Sequence, residues 1–375
     1  MVDSIPFVDL AAQQRRIGSR IQERMSRVLE HGQYIMGPEI KELETALGGF
    51  AGVSHVVTCA SGTDALALVL MAKGVKAGQA VLCPSFTFCA TAEVVAWLGA
   101  TPVFVDVDPA TFNMDATSLE AGIAVARAQG LMPVGVIPVD LFGLPADYAQ
   151  ILPIADRHCL FVLCDTAQAF GSAFHGKRLG TLGLATATSF FPAKPLGCYG
   201  DGGAIFTQDD ELARVLRSLR VHGQGSDKYD NVRIGMAGRM DTLQAAILLA
   251  KLEVFEDELA ARQRVAARYT AALSGRYTVP RVPEGLVSAW AQYTLRVPDG
   301  QRDRIAAALK AARIPTAVYY PLSLHQQGAY RHYPRAGTLA VSEALTRVVL
   351  SLPFHPYLEA DVQDRIIEAV LKAAR

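Results

Sequence analysis

Ser189–Gly203 reads SFFPAKPLGCYGDGG: one lysine, Lys194, set among small and apolar residues and followed by four glycines. Pro192 and Pro195 forbid a regular helix and hold the lysine on a stiff turn. Two readings are open for such a lysine. It snorkels out of a buried strand-to-loop transition, or it points into a cavity where its amine does Schiff-base chemistry. The flanking sequence has to decide.

Outward from this turn, residues 55 to about 220 alternate short apolar runs with helical stretches. HVVTCAS precedes an Ala/Leu-rich helix starting at Asp64, AVLCPSF precedes ATAEVVAWLGA, and TPVFVDVD precedes SLEAGIAVARAQG. PVGVIPVD, the helix ADYAQILPIADRHC and the run LFVLCD follow. Runs apolar on both faces, separated by amphipathic helices, predict a parallel sheet covered on both sides. LATATSFF and GGAIFTQ have no helix between them and read as strands that finish the sheet, at least one of them antiparallel. A single long helix is expected from Thr242, apolar first and charged later, leading out of the large domain. The expected architecture is α/β: a large domain with a mostly parallel central sheet (1–250) and a smaller C-terminal α+β domain (251–375).

Charge and composition exclude several classes. The 375 residues carry 36 Lys+Arg against 36 Asp+Glu, so the charge balance gives no electrostatic argument for nucleic acid. No apolar run reaches membrane-spanning length, and the start MVDSIPFVDL lacks the basic and apolar regions of a signal peptide. Six cysteines at irregular spacings, none in a CxxC pair, read as small buried thiols, with no metal site and no disulfide expected. A soluble cytoplasmic protein is predicted.

In such sheets ligands bind at the carboxyl ends of the strands. After the first run comes Ser61-Gly62-Thr63-Asp64, a turn that either caps a helix in the ordinary way or offers backbone N–H groups to a phosphate. Phe88 ends PSFTF and is placed for core packing or for stacking on a flat ring. Asp165 closes LFVLCD; a carboxylate there costs desolvation unless a cation or hydrogen bonds compensate. Gln168, three residues on, lies on the same side. Together with Ser189 and Lys194 these residues supply a phosphate cradle, a stacking face, a partner for a protonated ring nitrogen and an amine for an aldehyde. Pyridoxal phosphate requires that set. No GxGxxG follows a strand, so a dinucleotide is a poor rival.

The segments YIMGPEI, CASGTDAL, PSFTFCATAEVV, PVFVDVDPATFNMD, VDLFG, CDTAQAFG, SFFPAKPLGCYGDGG, RMDTLQAA and YYPLSLH occur in this order along the whole chain. In them the chain resembles the DegT/DnrJ/EryC1/StrS nucleotide-sugar aminotransferases, a branch of the fold-type I pyridoxal-phosphate enzymes. The resemblance implies Lys194 as the covalent cofactor lysine and proton carrier, Asp165 on the ring nitrogen, Gln168 near the ring hydroxyl and Phe88 stacked on the ring. It also implies Gly62, Thr63 and Ser189 on the phosphate. Lysine where a dehydratase branch has histidine favours transamination, with L-glutamate as the usual donor. RVHGQGSDKYDNVRIGM and SLPFHPYL carry a closer likeness to enzymes of O-antigen synthesis that aminate C3 of a UDP-linked 2-acetamido-3-keto sugar or its uronic acid. That likeness implies a homodimer with active sites at the interface, Arg239 on a sugar carboxylate or diphosphate, and Tyr319, Tyr320 and His325 lining the sugar side. The rival readings are a dTDP-ketosugar 3- or 4-aminotransferase, a dehydratase on the same cofactor, and a regulator that keeps the fold. Ala237 departs from the family, which has there an asparagine reaching the neighbouring subunit's cofactor phosphate.

Overall fold

The computed structural model describes residues 5–227 and 229–373. Two helices, α1 (Leu10–His31) and α2 (Pro38–Ala51), lead into the first strand-and-helix unit, β1 (His55–Cys59) and α3 (Gly62–Ala72). Then β2 (Gln79–Pro84), α4 (Ala90–Trp97), β3 (Thr101–Val105), α5 (Ala116–Ala128), β4 (Met132–Val136), α6 (Tyr148–Arg157) and β5 (Phe161–Asp165) alternate. A small ribbon, β6 (Ala173–Phe174) and β7 (Lys177–Arg178), precedes β8 (Ala185–Ser189), β9 (Gly203–Thr207) and α7 (Asp210–Leu219).

The apolar runs pair into one seven-stranded sheet ordered β1-β9-β8-β5-β4-β2-β3. β3, β2, β4, β5 and β8 run parallel; β9 is antiparallel to both of its neighbours, β8 and β1. The sheet is therefore mostly parallel, as the alternation of runs and helices predicts. Both faces are covered: Val57, Val81 and Leu163 belong to one buried cluster and Leu82, Val136 and Val162 to another. Each such side chain, fully buried, stabilises the fold by roughly 1.5–3 kcal/mol before entropy is subtracted. β1 is an edge strand, and side chains blunt it. Glu44 accepts from the Thr58 N–H at 2.9 Å, and Arg220 donates to the Thr58 carbonyl at 2.8 Å.

The long helix expected from Thr242 is two helices, α8 (Thr242–Leu252) and α9 (Phe255–Leu273), broken at Glu253 and Val254. The break falls where the packing demand changes. α8 is buried on nearly every side, against α1 and α2 among others. α9 is amphipathic and carries Phe255 and Leu259 in the large-domain core but Val265, Tyr269 and Leu273 in a second core.

That second core is built with β10 (Leu286–Val287), β11 (Tyr293–Arg296), α10 (Arg302–Ala311), α11 (Ala340–Val348), β12 (Val349–Leu352) and α12 (Ala360–Ala373); β11 and β12 pair antiparallel. Ile5, from the other end of the chain, is buried in it. β10 pairs instead with β6 of the ribbon. Four of the six cysteines are buried; Cys89 is half-buried and Cys159, in the turn after α6, is exposed, contrary to the expectation that all are buried. Among the described residues no helix is long and apolar enough to cross a membrane.

Candidate active site

β1 and β8 both oppose β9, so β1, β2, β5 and β8 point the same way and their carboxyl ends share one edge of the sheet. The turns that leave those ends carry Gly62, Phe88, Asp165 and Lys194. Topology, not sequence proximity, brings them together.

After β1, Ser61 caps α3, its hydroxyl accepting from the Asp64 N–H at 3.0 Å. A Cβ on Gly62 would lie 2.6 Å from the Cβ of Ser189, and one on Gly203 would lie 2.3 Å from the Ser61 carbonyl oxygen. Only glycine lets the start of α3 close on the end of β8. The outcome is a pocket edge made of the first N–H groups of a helix, half-buried Thr63 and the Ser189 hydroxyl, a setting that attracts a phosphate.

Asp165 is buried at the end of β5. Its carboxylate accepts from Thr91 Oγ1 at 2.9 Å and from the Ala167 N–H at 3.1 Å. Burial raises its pKa, and the two hydrogen bonds and the charge of Lys194 pull the other way. Lys194 mirrors it: burial lowers the pKa of the amine and Asp165 opposes. A lysine pushed toward its neutral form is a better nucleophile, and a carboxylate short of partners in a dry site welcomes a cationic ring nitrogen. A second carboxylate, Asp140, lies below; it is fully buried, accepts from Tyr148 and the Ala146 N–H, and burial raises its pKa strongly.

Gln168 is fixed at both ends. Its carbonyl oxygen accepts from the Phe142 N–H at 2.7 Å and its amide donates to the Tyr320 hydroxyl at 3.1 Å. The Phe88 ring is 56% exposed and sits 6.5 Å from the Tyr320 ring. That exposure favours a stacking face over core packing. Gly62, Thr63, Phe88, Asp165, Gln168, Ser189 and Lys194 thus fit pyridoxal phosphate: a glycine cradle that a Cβ would fill, a buried carboxylate and a half-buried lysine beside it.

The substrate-side residues divide. Tyr320 joins Gln168 and Phe88, while Tyr319 packs edge-on against Phe7. His325 is buried, with Nδ1 at 2.7 Å from Ser85 Oγ and Nε2 at 2.9 Å from Glu343. Both ring nitrogens face protein, so His325 holds the turn that carries Phe88 and offers no polar atom to a sugar. Arg239 is half-buried and its Nε has no partner among the described residues. The neighbouring Gly238 carbonyl accepts from the Ala60 N–H at 3.1 Å, which places Arg239 beside the start of α3. Ala237 is exposed.

Sequence reasoning passed over Thr91, Ser85 and Glu343, and it set His325 on the sugar side without these two partners. Thr91 lies in the first turn of α4, directly after the PSFTF turn, and a threonine there was signal enough to ask which strand end it faced. Ser85 and Glu343 carry no such signal, because only their contacts with His325, 240 and 18 residues away, single them out.

The sequence signature of the DegT/DnrJ/EryC1/StrS aminotransferase family matches residues 15–371. A protein of Pseudomonas aeruginosa named UDP-2-acetamido-2-deoxy-3-oxo-D-glucuronate aminotransferase is 48% identical over 356 residues, 95% of this chain and 96% of its own length. The crystal structure of a DegT/DnrJ/EryC1/StrS aminotransferase from Brucella abortus is 52% identical and superposes with a TM-score of 0.96, covering 98% of this chain and 99% of that one. NtdA of Bacillus subtilis, solved with bound cofactor PMP, is 28% identical with a TM-score of 0.89, covering 100% of this chain and 86% of that one. The chain belongs to the DegT/DnrJ/EryC1/StrS aminotransferase family and is a pyridoxal-phosphate-dependent aminotransferase.

Proposed function

We propose that this aminotransferase moves the amino group of L-glutamate to C3 of a UDP-linked 2-acetamido-3-keto hexose or its uronic acid, in the cytoplasm, to supply O-antigen and lipopolysaccharide assembly. The observation that carries the substrate class is the 48% identity, over nearly the full length of both chains, with the relative named for a UDP-linked 3-oxo-glucuronate. Arg239 supports it through its place beside the start of α3, where a planar guanidinium suits a carboxylate or diphosphate.

When bound, the cofactor supplies an electron sink for charge developing at the amino-acid Cα. The protein does the rest. Gly62, Thr63 and Ser189 would hold the phosphate, Phe88 would stack on the ring, and Gln168 would serve the ring hydroxyl. Asp165 would favour the protonated ring nitrogen. Lys194 would hold the cofactor through its amine, and the same amine, when free, would be the group to take the proton from the amino-acid Cα and to give one back. Its lowered pKa suits both roles. A homodimer is part of this reading: Tyr34, Ile35, Met36, Val232 and Ile234 expose apolar surface, and Ile35 bridges to Asp241, two residues beyond Arg239.

The test loads the enzyme with its amine-form cofactor and offers UDP- and dTDP-linked ketosugars. Return of the aldehyde-form spectrum with a UDP-2-acetamido-3-keto sugar is expected, and amination of dTDP-4-ketosugars alone overturns the reading. Arg239→Ala is expected to raise the sugar KM far more than the glutamate KM.

A further inference from the structure

The turn that carries Lys194 is folded tightly on itself. The Cys198 N–H donates to the Phe190 carbonyl at 2.7 Å, and the Lys194 N–H donates to the Phe191 carbonyl at 2.9 Å. Gly197 backs onto the residues just before Lys194: a Cβ there would lie 2.5 Å from the Pro192 carbonyl oxygen and 2.7 Å from that of Phe191. Gly197, the Phe191 carbonyl and the Lys194 N–H thus form one chain of contacts, and Pro195 stiffens the short path between the two ends. Whatever holds Gly197 holds the backbone from which the Lys194 side chain leaves.

Helix α8 holds it from one face. Gln244 and Lys251 stand about two turns apart on this helix, which puts both side chains on the same side. Lys251 Nζ donates to the Gly197 carbonyl at 2.6 Å and lies 4.2 Å from the centre of the Tyr199 ring. Gln244 Oε1 accepts from the Tyr199 N–H at 2.9 Å, and the Tyr199 hydroxyl donates to Gln14 of α1. Lys251 is buried, and burial lowers its pKa to about 8. A buried amine is costly without partners, and packing alone would favour an apolar residue on so enclosed a helix. Its partners are the carbonyl of the lysine turn and the face of Tyr199.

We propose that Lys251 and Gln244 are positioning residues for Lys194: they grip its turn at Gly197 and Tyr199 and so set where the Lys194 amine stands relative to Asp165 and the glycine cradle. Both act through the backbone of the turn. The inference rests on the reading of Lys194 as the lysine that captures the cofactor.

The test uses the full-length protein and three variants. Lys251→Met removes the donor, Gln244→Leu removes the acceptor, and Gln244→Glu keeps an oxygen in its place. Cofactor-free protein is mixed with pyridoxal phosphate, and the adduct is trapped over time with borohydride and mapped by mass spectrometry. A wild-type adduct on a lysine other than Lys194 overturns the reading of Lys194, and the clamp with it. With the adduct on Lys194, capture is expected to slow roughly tenfold in Lys251→Met and Gln244→Leu and to recover in Gln244→Glu. The glutamate half-reaction at saturating glutamate is expected to slow in the same two variants, with the glutamate KM within about twofold of wild type. Wild-type capture in both variants, slowing that tracks a loss of folded protein in far-UV circular dichroism, or equal slowing in Gln244→Leu and Gln244→Glu overturns the positioning role.

Discussion

The amide of Gln168 donates to the Tyr320 hydroxyl at 3.1 Å while its carbonyl oxygen accepts from the buried Phe142 N–H at 2.7 Å. One side chain thus ties the turn after β5 to two other segments. Gln168→Ala strands the Phe142 N–H and is expected to cost about 1–3 kcal/mol. Tyr320→Phe leaves that bond intact and is expected to cost less, about 0.5–1.5 kcal/mol. Urea unfolding of the cofactor-free proteins checks the order; the reverse order refutes this account of Gln168.

Lys194→Ala is expected to abolish covalent capture of the cofactor and turnover while the fold survives, because the lysine makes no side-chain hydrogen bond that the core depends on. Borohydride reduction followed by mass spectrometry reads the adduct directly. An adduct that persists in the variant assigns the chemistry to another lysine.

Thr91→Val removes a hydrogen bond that holds down the pKa of Asp165. The sign follows: with one donor fewer the carboxylate protonates at higher pH. The acidic limb of the glutamate half-reaction is expected to move up by roughly half to one pH unit. Asp165→Asn is expected to slow the same half-reaction by two or more orders of magnitude, on the order of 3 kcal/mol, since a neutral amide no longer favours a protonated ring nitrogen. Stopped-flow spectra across pH test both, and an unmoved limb removes Asp165 from the role.

Gly62→Ala sets a Cβ 2.6 Å from the Cβ of Ser189 and 3.1 Å from its Cα. The start of α3 has to retreat from β8, and the phosphate cradle opens. Cofactor affinity is expected to fall roughly tenfold, about 1.4 kcal/mol, with little change in the melting of the apoprotein. Equilibrium titration with pyridoxal phosphate measures it; unchanged affinity means the phosphate sits elsewhere.

Burial lowers the pKa of His355 from 6.5 to about 4, with the nearby cation Arg262 adding to the shift and Asp9 opposing it. Native His355 is therefore neutral where the unfolded chain is already protonated. Its contribution is fully present above pH 6.5 and is lost as pH falls toward 4. Between pH 7 and pH 5 the wild type is expected to lose about 2 kcal/mol that His355→Gln does not lose. Parallel unfolding curves at the two pH values give this difference, and equal losses in both proteins contradict a neutral buried imidazole.

The alternation of two-sided apolar runs with amphipathic helices was sufficient for the mostly parallel sheet, because burial on both faces leaves no polar alternation along a strand. Asp165 and Lys194 were legible for a related reason. Each is a charged residue at the end of an apolar run, and such a residue asks for a partner. The helix break at Glu253–Val254 was not legible, since propensity there favours one continuous helix and only the choice between two cores divides it. The contact of Thr91 with Asp165 and the enclosure of His325 by Ser85 and Glu343 depend on pairs 74, 240 and 18 residues apart. Local sequence carries the preferences of a segment for helix, strand or turn. Which polar atoms meet, and which are left without a partner, is decided only when distant segments pack.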